Sequence, residues 1–312
     1  MVVIDAVSFD LFFCREKEEP TDFSAVCVWA EHLDLFKRNT NQLWYENSET
    51  GVYFSFDYDA QPAKDPDESQ IPAGFFDTGL SFNLNFNRPS YFGYEAMPIV
   101  EHLVTQFHLF VVNPQADSEE QMLIREVSAQ SLLESWLDHN RRAIVTMSKD
   151  LGYISPLQMP LTQSIYRWNY AKAKKGLERR CGNDIFVPNV SLVRRVGSNQ
   201  VAPAFVYTDG VPSLVPISDW VFIVRDRKQH FWSGKKTEVG VLSSTEFRNL
   251  TGEYLKDFDH DQLGLRVLDP ASAREVSSLI QSCEFMFPRD EFEGVAPDGF
   301  VDIDLEVKSA LN

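Results

Sequence analysis

The sequence lacks the features that identify most membrane proteins, metalloproteins and nucleophilic enzymes. It has no run of about 18 apolar residues, so we expect no membrane-spanning helix. Its four cysteines lie far apart without a Cys-x-x-Cys pair, which argues against a disulfide framework or a zinc knuckle and favours reduced thiols in a cytoplasm. The six histidines show no metal-binding spacing, and no Gly-x-Ser-x-Gly elbow is present. We therefore expect no metal and no cofactor.

Basic residues are also in short supply. The chain has 29 Lys and Arg against 46 Asp and Glu, which gives a net charge of −17. A negative field of this size repels phosphate backbones and attracts basic proteins. We therefore expect a basic protein partner and no nucleic acid. The end of the chain is acidic, because residues from 237 onward hold 16 acidic residues against six basic ones.

One stretch of this acidic segment, PDGFVDIDLEVK, resembles a metal-dependent nuclease signature, in which Asp298 and Glu306 would hold Mg²⁺ beside Lys308. Two observations favour another interpretation. Asp298 and Glu306 are separated by only seven residues, which is short for the hairpin that would bring them together. Apolar residues also alternate with Asp302, Asp304, Glu306 and Lys308, as in an edge strand with one solvated face. We therefore predict a solvated strand here.

Hydrophobic periodicity predicts an α+β fold. Residues 1–115 show the order strand, helix, hairpin, strand, helix, strand, which is typical of a ferredoxin-like α/β sandwich. The pattern Ser118-x-x-Gln121 predicts a helix to about Asp138, and a second helix follows, so residues 116–182 are predicted to form a helical connector. Residues 183–312 are predicted to form a second mixed α/β sheet unit. Its helices should begin at the capping box Ser243-x-x-Glu246 and at Asp269-Pro270.

The acidic segment near the end of the chain is the predicted partner-binding region. Its carboxylates are interleaved with aromatic side chains, as in a binding surface with charges around apolar anchors. The predicted partner-binding residues are Asp290, Glu291, Phe292, Glu293 and Asp298. Two alternatives stay open: the acidic composition can serve solubility alone, or the chain can be a hydrolase or transferase with a site assembled between the two α+β units.

Four stretches are similar to an uncharacterised bacterial cytosolic protein family associated with toxin–immunity loci. They are ETGVYFSFDYD, FNLNFNRPSYFGYEAMP, IYRWNYAK and NDIFVPNV. The resemblance covers about half of the chain and carries no catalytic motif. It implies a non-enzymatic cytosolic protein-binding protein, and specifically an immunity protein that neutralises a basic toxin domain.

Overall fold

The chain folds into two compact units. A computed structural model describes residues 8–19, 22–61, 71–150, 156–228, 235–258 and 263–303. The N-terminal unit holds the described residues up to 150 together with residue 303, and the C-terminal unit holds residues 156–302. Both units contain helices and sheets, which confirms the predicted α+β class.

The N-terminal unit is built on a seven-stranded sheet with the order β2-β3-β4-β5-β1-β6-β7. Every neighbouring pair is antiparallel. Its described elements are β1 (Ser8–Arg15), α1 (Phe23–Glu31), β2 (Phe36–Arg38), β3 (Gln42–Asn47), β4 (Val52–Tyr58), β5 (Phe76–Asn85), α2 (Tyr91–Phe107), β6 (Phe110–Val112), α3 (Glu119–Met122), β7 (Leu123–Ile124) and α4 (Ala129–Asp150).

The centre of this unit has the predicted ferredoxin-like arrangement. Along the chain, β1, α1, β4, β5, α2 and β6 follow the β-α-β-β-α-β order. In the sheet these strands lie as β4-β5-β1-β6, so the first strand is central. The hairpin of β2 and β3 extends the sheet at one edge, and β7 extends it at the other.

Helices α1 and α2 cover one face of the sheet. In α1, Trp29 contacts the ring of Phe56 with centroids 6.2 Å apart. In α2, the buried Glu95 accepts a hydrogen bond from the hydroxyl of Tyr45 at 2.8 Å. Strand side chains alternate between the two faces, so Tyr45 and Phe56 mark the face on which this core is built.

Helix α4 packs on the same side through a close approach to α2. A Cβ atom at Gly93 of α2 would lie 2.5 Å from the indole of Trp136 in α4, so only glycine lets the two helices come this near. Trp136 is fully buried. The ring of His139 contacts Phe9 of β1 at 5.7 Å, which places α4 over the core face.

The C-terminal unit contains a six-stranded mixed sheet and a three-stranded sheet. The larger has the order β15-β12-β11-β9-β8-β16, and the smaller has the order β10-β14-β13. Its described elements are α5 (Leu161–Cys181), β8 (Ser191–Arg195), β9 (Val201–Thr208), β10 (Ser213–Val215), β11 (Trp220–Lys228), β12 (Lys235–Ser243), α6 (Ser244–Thr251), β13 (Lys256–Asp257), β14 (Arg266–Leu268), α7 (Pro270–Ser282), β15 (Phe287–Pro288) and β16 (Phe292–Gly294).

Both helix starts predicted for this unit are confirmed. Ser243 accepts a hydrogen bond from the Glu246 amide, and the Glu246 carboxylate accepts one from the Ser243 amide, which completes the capping box of α6. Asp269 caps α7 by accepting from the amides of Ala271 and Ser272. Its ion pair with Lys256 and its hydrogen bond from the Ser272 amide hold the pKa of Asp269 well below its usual range.

The predicted helical connector of residues 116–182 is wrong in its organisation. Only one turn, α3, follows Ser118, and the chain then forms β7, whose residues pair with Val111 and Val112 of β6. Strand pairing at the sheet edge therefore ends the helix that was predicted to reach Asp138. Helix α4 belongs to the N-terminal unit and α5 to the C-terminal unit. No helix in the described ranges has the length and apolarity needed to cross a membrane.

Candidate functional site

Two of the predicted partner-binding carboxylates are neutralised within the C-terminal unit. Strand β16 pairs with β8, which sets Glu293 opposite Arg194. Glu293 forms an ion pair with Arg194 at 2.8 Å, and Glu291 forms one with Arg195 at 2.7 Å. The Arg195 guanidinium also lies 4.0 Å from the ring centroid of Phe287. These glutamates are thus part of a cross-strand network, and little of their charge is left to steer a partner.

Phe292 belongs to the core and is not an exposed anchor. Its side chain is 2% exposed. The ring meets Trp220 at 5.1 Å and Phe222 at 5.6 Å in edge-to-face geometry. The prediction of a binding role for Phe292 is therefore wrong, because the pairing of β16 with β8 turns the ring inward.

The remaining acidic predictions have different outcomes. Asp290 is exposed and Asp298 is half-buried. Asp302 is 4% exposed and accepts a hydrogen bond from the hydroxyl of Ser164 at 2.6 Å, so the predicted solvated face is wrong at this position. Asp304, Glu306 and Lys308 lie outside the described residues. The five predicted residues do not come together as one acidic surface with an aromatic anchor.

A different surface, on the N-terminal sheet, brings polar and aromatic side chains together. We call it the polar face and define it by Asp10, Trp44, Ser55, Asp57 and Asn83; Ser55 is 5% exposed and the other four are half-buried. Four of these residues form a row across β3, β4, β5 and β1, because Trp44 is in register with Ser55, Ser55 with Asn83, and Asn83 with Asp10. They lie opposite the core face, since Phe9, Leu43 and Phe56 alternate with them along the strands.

Hydrogen bonds hold the two carboxylates of the polar face in place. Asp10 accepts from the amide of Asn83 at 2.6 Å and from the hydroxyl of Ser8 at 3.0 Å. Asp57 accepts from the hydroxyl of Ser55 at 2.7 Å and from the amide of Gln42 at 2.7 Å. Neither carboxylate forms an ion pair with any residue that the structure describes. Each is a fixed negative charge that can accept further hydrogen bonds.

Two aromatic rings lie on the same face of the sheet as these carboxylates. Trp44 and Tyr53 are stacked with centroids 5.5 Å apart, and both are half-buried. Arg88 donates to the Tyr53 hydroxyl at 2.7 Å, and Phe92 at the start of α2 meets the Tyr53 ring at 5.5 Å. The Tyr53 ring is therefore fixed from several sides. A sheet face with ordered rings and acceptors can bind the donors and apolar parts of another molecule.

The sequence carried one signal of this surface. In the strand LSFNLNFN the asparagines alternate with Leu and Phe, which predicts that Asn83, Asn85 and Asn87 share one face of a strand. The structure confirms this for Asn83 and Asn85, which are half-buried beside the fully buried Leu84. It is wrong for Asn87, because β5 ends at Asn85 and Asn87 has a left-handed φ of 57°. The neighbours of Asn83 could not be predicted, because they depend on the register of three strands far apart in the sequence.

The C-terminal unit has a polar cavity at the carboxyl ends of its parallel strands β9 and β11. It has a volume of about 630 Å³ and is lined in part by Asp209, Arg225, Arg227 and Gln281. The amide of Gln281 donates to Asp209 at 2.5 Å. Arg225 is 1% exposed and donates to Glu238 at 2.9 Å and to the carbonyl of Cys283 at 2.9 Å.

The hydrogen bonds of Arg225 have a structural explanation. The Arg225 guanidinium donates to a carbonyl at the end of α7, where the last carbonyls of a helix lack partners within the helix. The Phe285 ring lies 4.0 Å from it. The described hydrogen bonds of Arg225 therefore connect α7 with β11 and β12. The burial of this arginine is explained without a substrate.

The chain shows no arrangement typical of metal or thiol catalysis in its described part. Among those residues, no three His, Cys, Asp or Glu side chains gather as they would around a metal ion. All four cysteines are free thiols. Burial raises the pKa of Cys14 to about 12, so this thiol stays protonated and weakly nucleophilic.

Comparison with known proteins identifies no family for this chain. No protein-family model, no curated protein and no solved structure matches the chain.

Proposed function

We propose that the protein is a non-enzymatic binding protein whose polar face receives a basic segment of a partner protein. The observation that carries this proposal is the row of Trp44, Ser55, Asn83 and Asp10 across four strands. The row places an aromatic anchor and a fixed carboxylate on the sheet face opposite the core. Trp and Tyr are the residues that most often dominate binding energy in protein interfaces.

Charge supports a basic partner. The chain has a net charge of −17, which raises the rate at which a positively charged protein meets it. Asp10 and Asp57 are not neutralised by any described ion pair, whereas Glu291 and Glu293 are. Lys or Arg side chains of a partner would find charge-assisted acceptors at the polar face.

The finer form of the proposal is an immunity protein that neutralises a basic toxin domain. This form rests on the sequence resemblance to the family at toxin–immunity loci and on charge complementarity. A cytosolic inhibitor has to bind its toxin rapidly, and opposite fields increase association rates.

The test compares the wild-type chain with polar-face variants. The partner captured from the source cell, or the product of the neighbouring gene, is purified and its binding kinetics are measured at low and high salt. We expect Trp44→Ala to speed dissociation about tenfold, since buried anchors set residence times. We expect the double variant Asp10→Asn, Asp57→Asn to slow association and to weaken its salt dependence.

Matched controls separate the polar face from general effects. Phe186→Ala removes a ring that is 54% exposed, and Asp290→Asn removes an exposed charge, both in the C-terminal unit. These variants should bind as the wild type does. A purified partner whose kinetics ignore Trp44→Ala and the double variant would contradict the proposal. The finer form predicts that co-expression of the chain restores growth of cells that produce the toxin, and that Trp44→Ala reduces this rescue.

A further inference from the structure

The C-terminal unit contains a second cavity, and its lining is mainly apolar. It has a volume of about 300 Å³, at the lower end of the range of about 300–1,000 Å³ that is usual for ligand sites. Phe205 and Val221 of the large sheet and Phe247 of α6 line it with at most 1% of their surface exposed. The other apolar residues of the lining are Val215, Pro216, Ile217 and Leu255. This cavity lies entirely within one compact unit.

The charged residues of this lining have one sign. Among the described residues no Asp or Glu lines the cavity, while Arg248 and Arg266 do. Arg266 forms an ion pair with Asp257. Arg248 is exposed and donates to the carbonyl of Ser244 at 3.2 Å. No carboxylate in the described part of the chain pairs with Arg248, so its charge is available to an anion.

A buried hydroxyl adds a second polar group. Ser218 lines the same cavity and is 6% exposed. Its hydroxyl has no hydrogen-bond partner among the described residues, although buried polar groups in native proteins nearly always have one. The neighbouring Ser244 hydroxyl is already used, since it donates to the Ser218 carbonyl. The cavity thus combines an apolar body, an unpaired guanidinium and an unpaired hydroxyl.

We propose that this cavity binds a small alkyl monocarboxylate, such as a medium-chain fatty acid. The alkyl chain would lie against Val215, Ile217 and Leu255, where it is removed from water. The carboxylate would accept charge-assisted hydrogen bonds from Arg248, which are stronger than neutral ones. This site lies in the other unit from the polar face, so the inference goes beyond the proposed function and does not rest on it.

The experiment uses octanoate as the probe and the full chain as the receptor. Isothermal titration should show saturable binding of octanoate, and the thermal midpoint should rise with its concentration, as it does for a ligand of the native state. Octanol should bind more weakly, and octylamine should not bind, since its charge is repelled by Arg248. Arg248→Ala should weaken octanoate binding about tenfold, which is typical of one lost charge-assisted bond. Arg248→Lys should restore part of it.

Two further variants make the test decisive. Arg274→Ala is the matched control, because Arg274 is also exposed on a helix and donates to the carbonyl four residues earlier, at 3.0 Å. Gly252 lines the cavity in a helical conformation, and a Cβ there would meet nothing within 4 Å. Gly252→Met should therefore fold and block octanoate. Equal effects of Arg248→Ala and Arg274→Ala, equal binding of octylamine, or no saturable binding would each overturn the proposal. None of these results would alter the kinetics predicted for Trp44→Ala.

Discussion

Replacement of Phe292 by Ala tests whether this residue is a core residue or a binding anchor. The ring is 2% exposed and packs against Trp220, Phe222 and Phe287 at 5.1, 5.6 and 6.1 Å. Removal of a buried phenyl ring costs about 3–5 kcal/mol, because the apolar transfer energy is lost and a cavity remains. For a unit of 147 residues (156–302), each kcal/mol lowers the melting temperature by about 2–4 °C. We therefore expect a decrease of about 6–20 °C.

The assay is thermal and urea unfolding followed by tryptophan fluorescence and circular dichroism. Phe186→Ala makes the same chemical change at a ring that is 54% exposed, and it should change the urea midpoint little. Equal and small effects of the two variants would refute the assignment of Phe292 to the core. The predicted anchor role would then return. An unchanged urea slope would confirm that the two variants differ in stability alone.

Two further predictions concern stability and pH. Ser243→Ala removes the hydroxyl that accepts from the Glu246 amide at 3.1 Å, and it should lower the free energy of unfolding by about 1 kcal/mol in urea titrations. A loss of the same size in Ser278→Ala, where the hydroxyl caps no helix start, would contradict this reason. Burial raises the pKa of Asp77. Ionisation of this carboxyl is therefore less favourable in the native state than in the unfolded state, and it lowers the free energy of unfolding. Asp77→Asn should therefore raise the free energy of unfolding at neutral pH. The increase should become smaller as the pH falls through the native pKa of Asp77, and it should vanish below the unfolded pKa. An increase that stays constant from neutral to acidic pH would contradict this reason.

Local patterns were sufficient to predict the elements with strong periodicity. Apolar stripes at helical spacing predict buried faces for two helices, formed by Phe23, Val26, Ala30 and Leu33 and by Val276, Leu279, Ile280 and Cys283. Val26, Ala30, Val276 and Ile280 are at most 1% exposed. The other four residues are half-buried. Apolar side chains at helical spacing form one face of a helix, and this face is buried whichever element covers it. The ferredoxin-like order followed from the same kind of evidence.

Short strands escaped prediction for a physical reason. Strands β7 and β16 have two and three residues, which is too few to show an alternating pattern. Their positions are fixed by pairing with β6 and β8, so a helix was predicted across β7. The turn Thr208-Asp209-Gly210 between the stretches VAPAFVYTDG and SLVPISDWVFIVRD also predicts a hairpin, whereas β9 and β10 lie in different sheets.

The candidate site was misplaced because a count of charges does not give the field around a protein. Residues 290–298 hold carboxylates in the sequence, but Arg194 and Arg195 neutralise two of them from a strand nearly a hundred positions earlier. Paired charges of this kind contribute little field beyond a Debye length. Asp10 and Asp57 belong to residues 1–115, which hold 18 acidic residues against six basic ones, and no described cation pairs with either. If steering depends on unpaired charge, the double variant Glu291→Gln, Glu293→Gln should therefore change association less than the double variant Asp10→Asn, Asp57→Asn does.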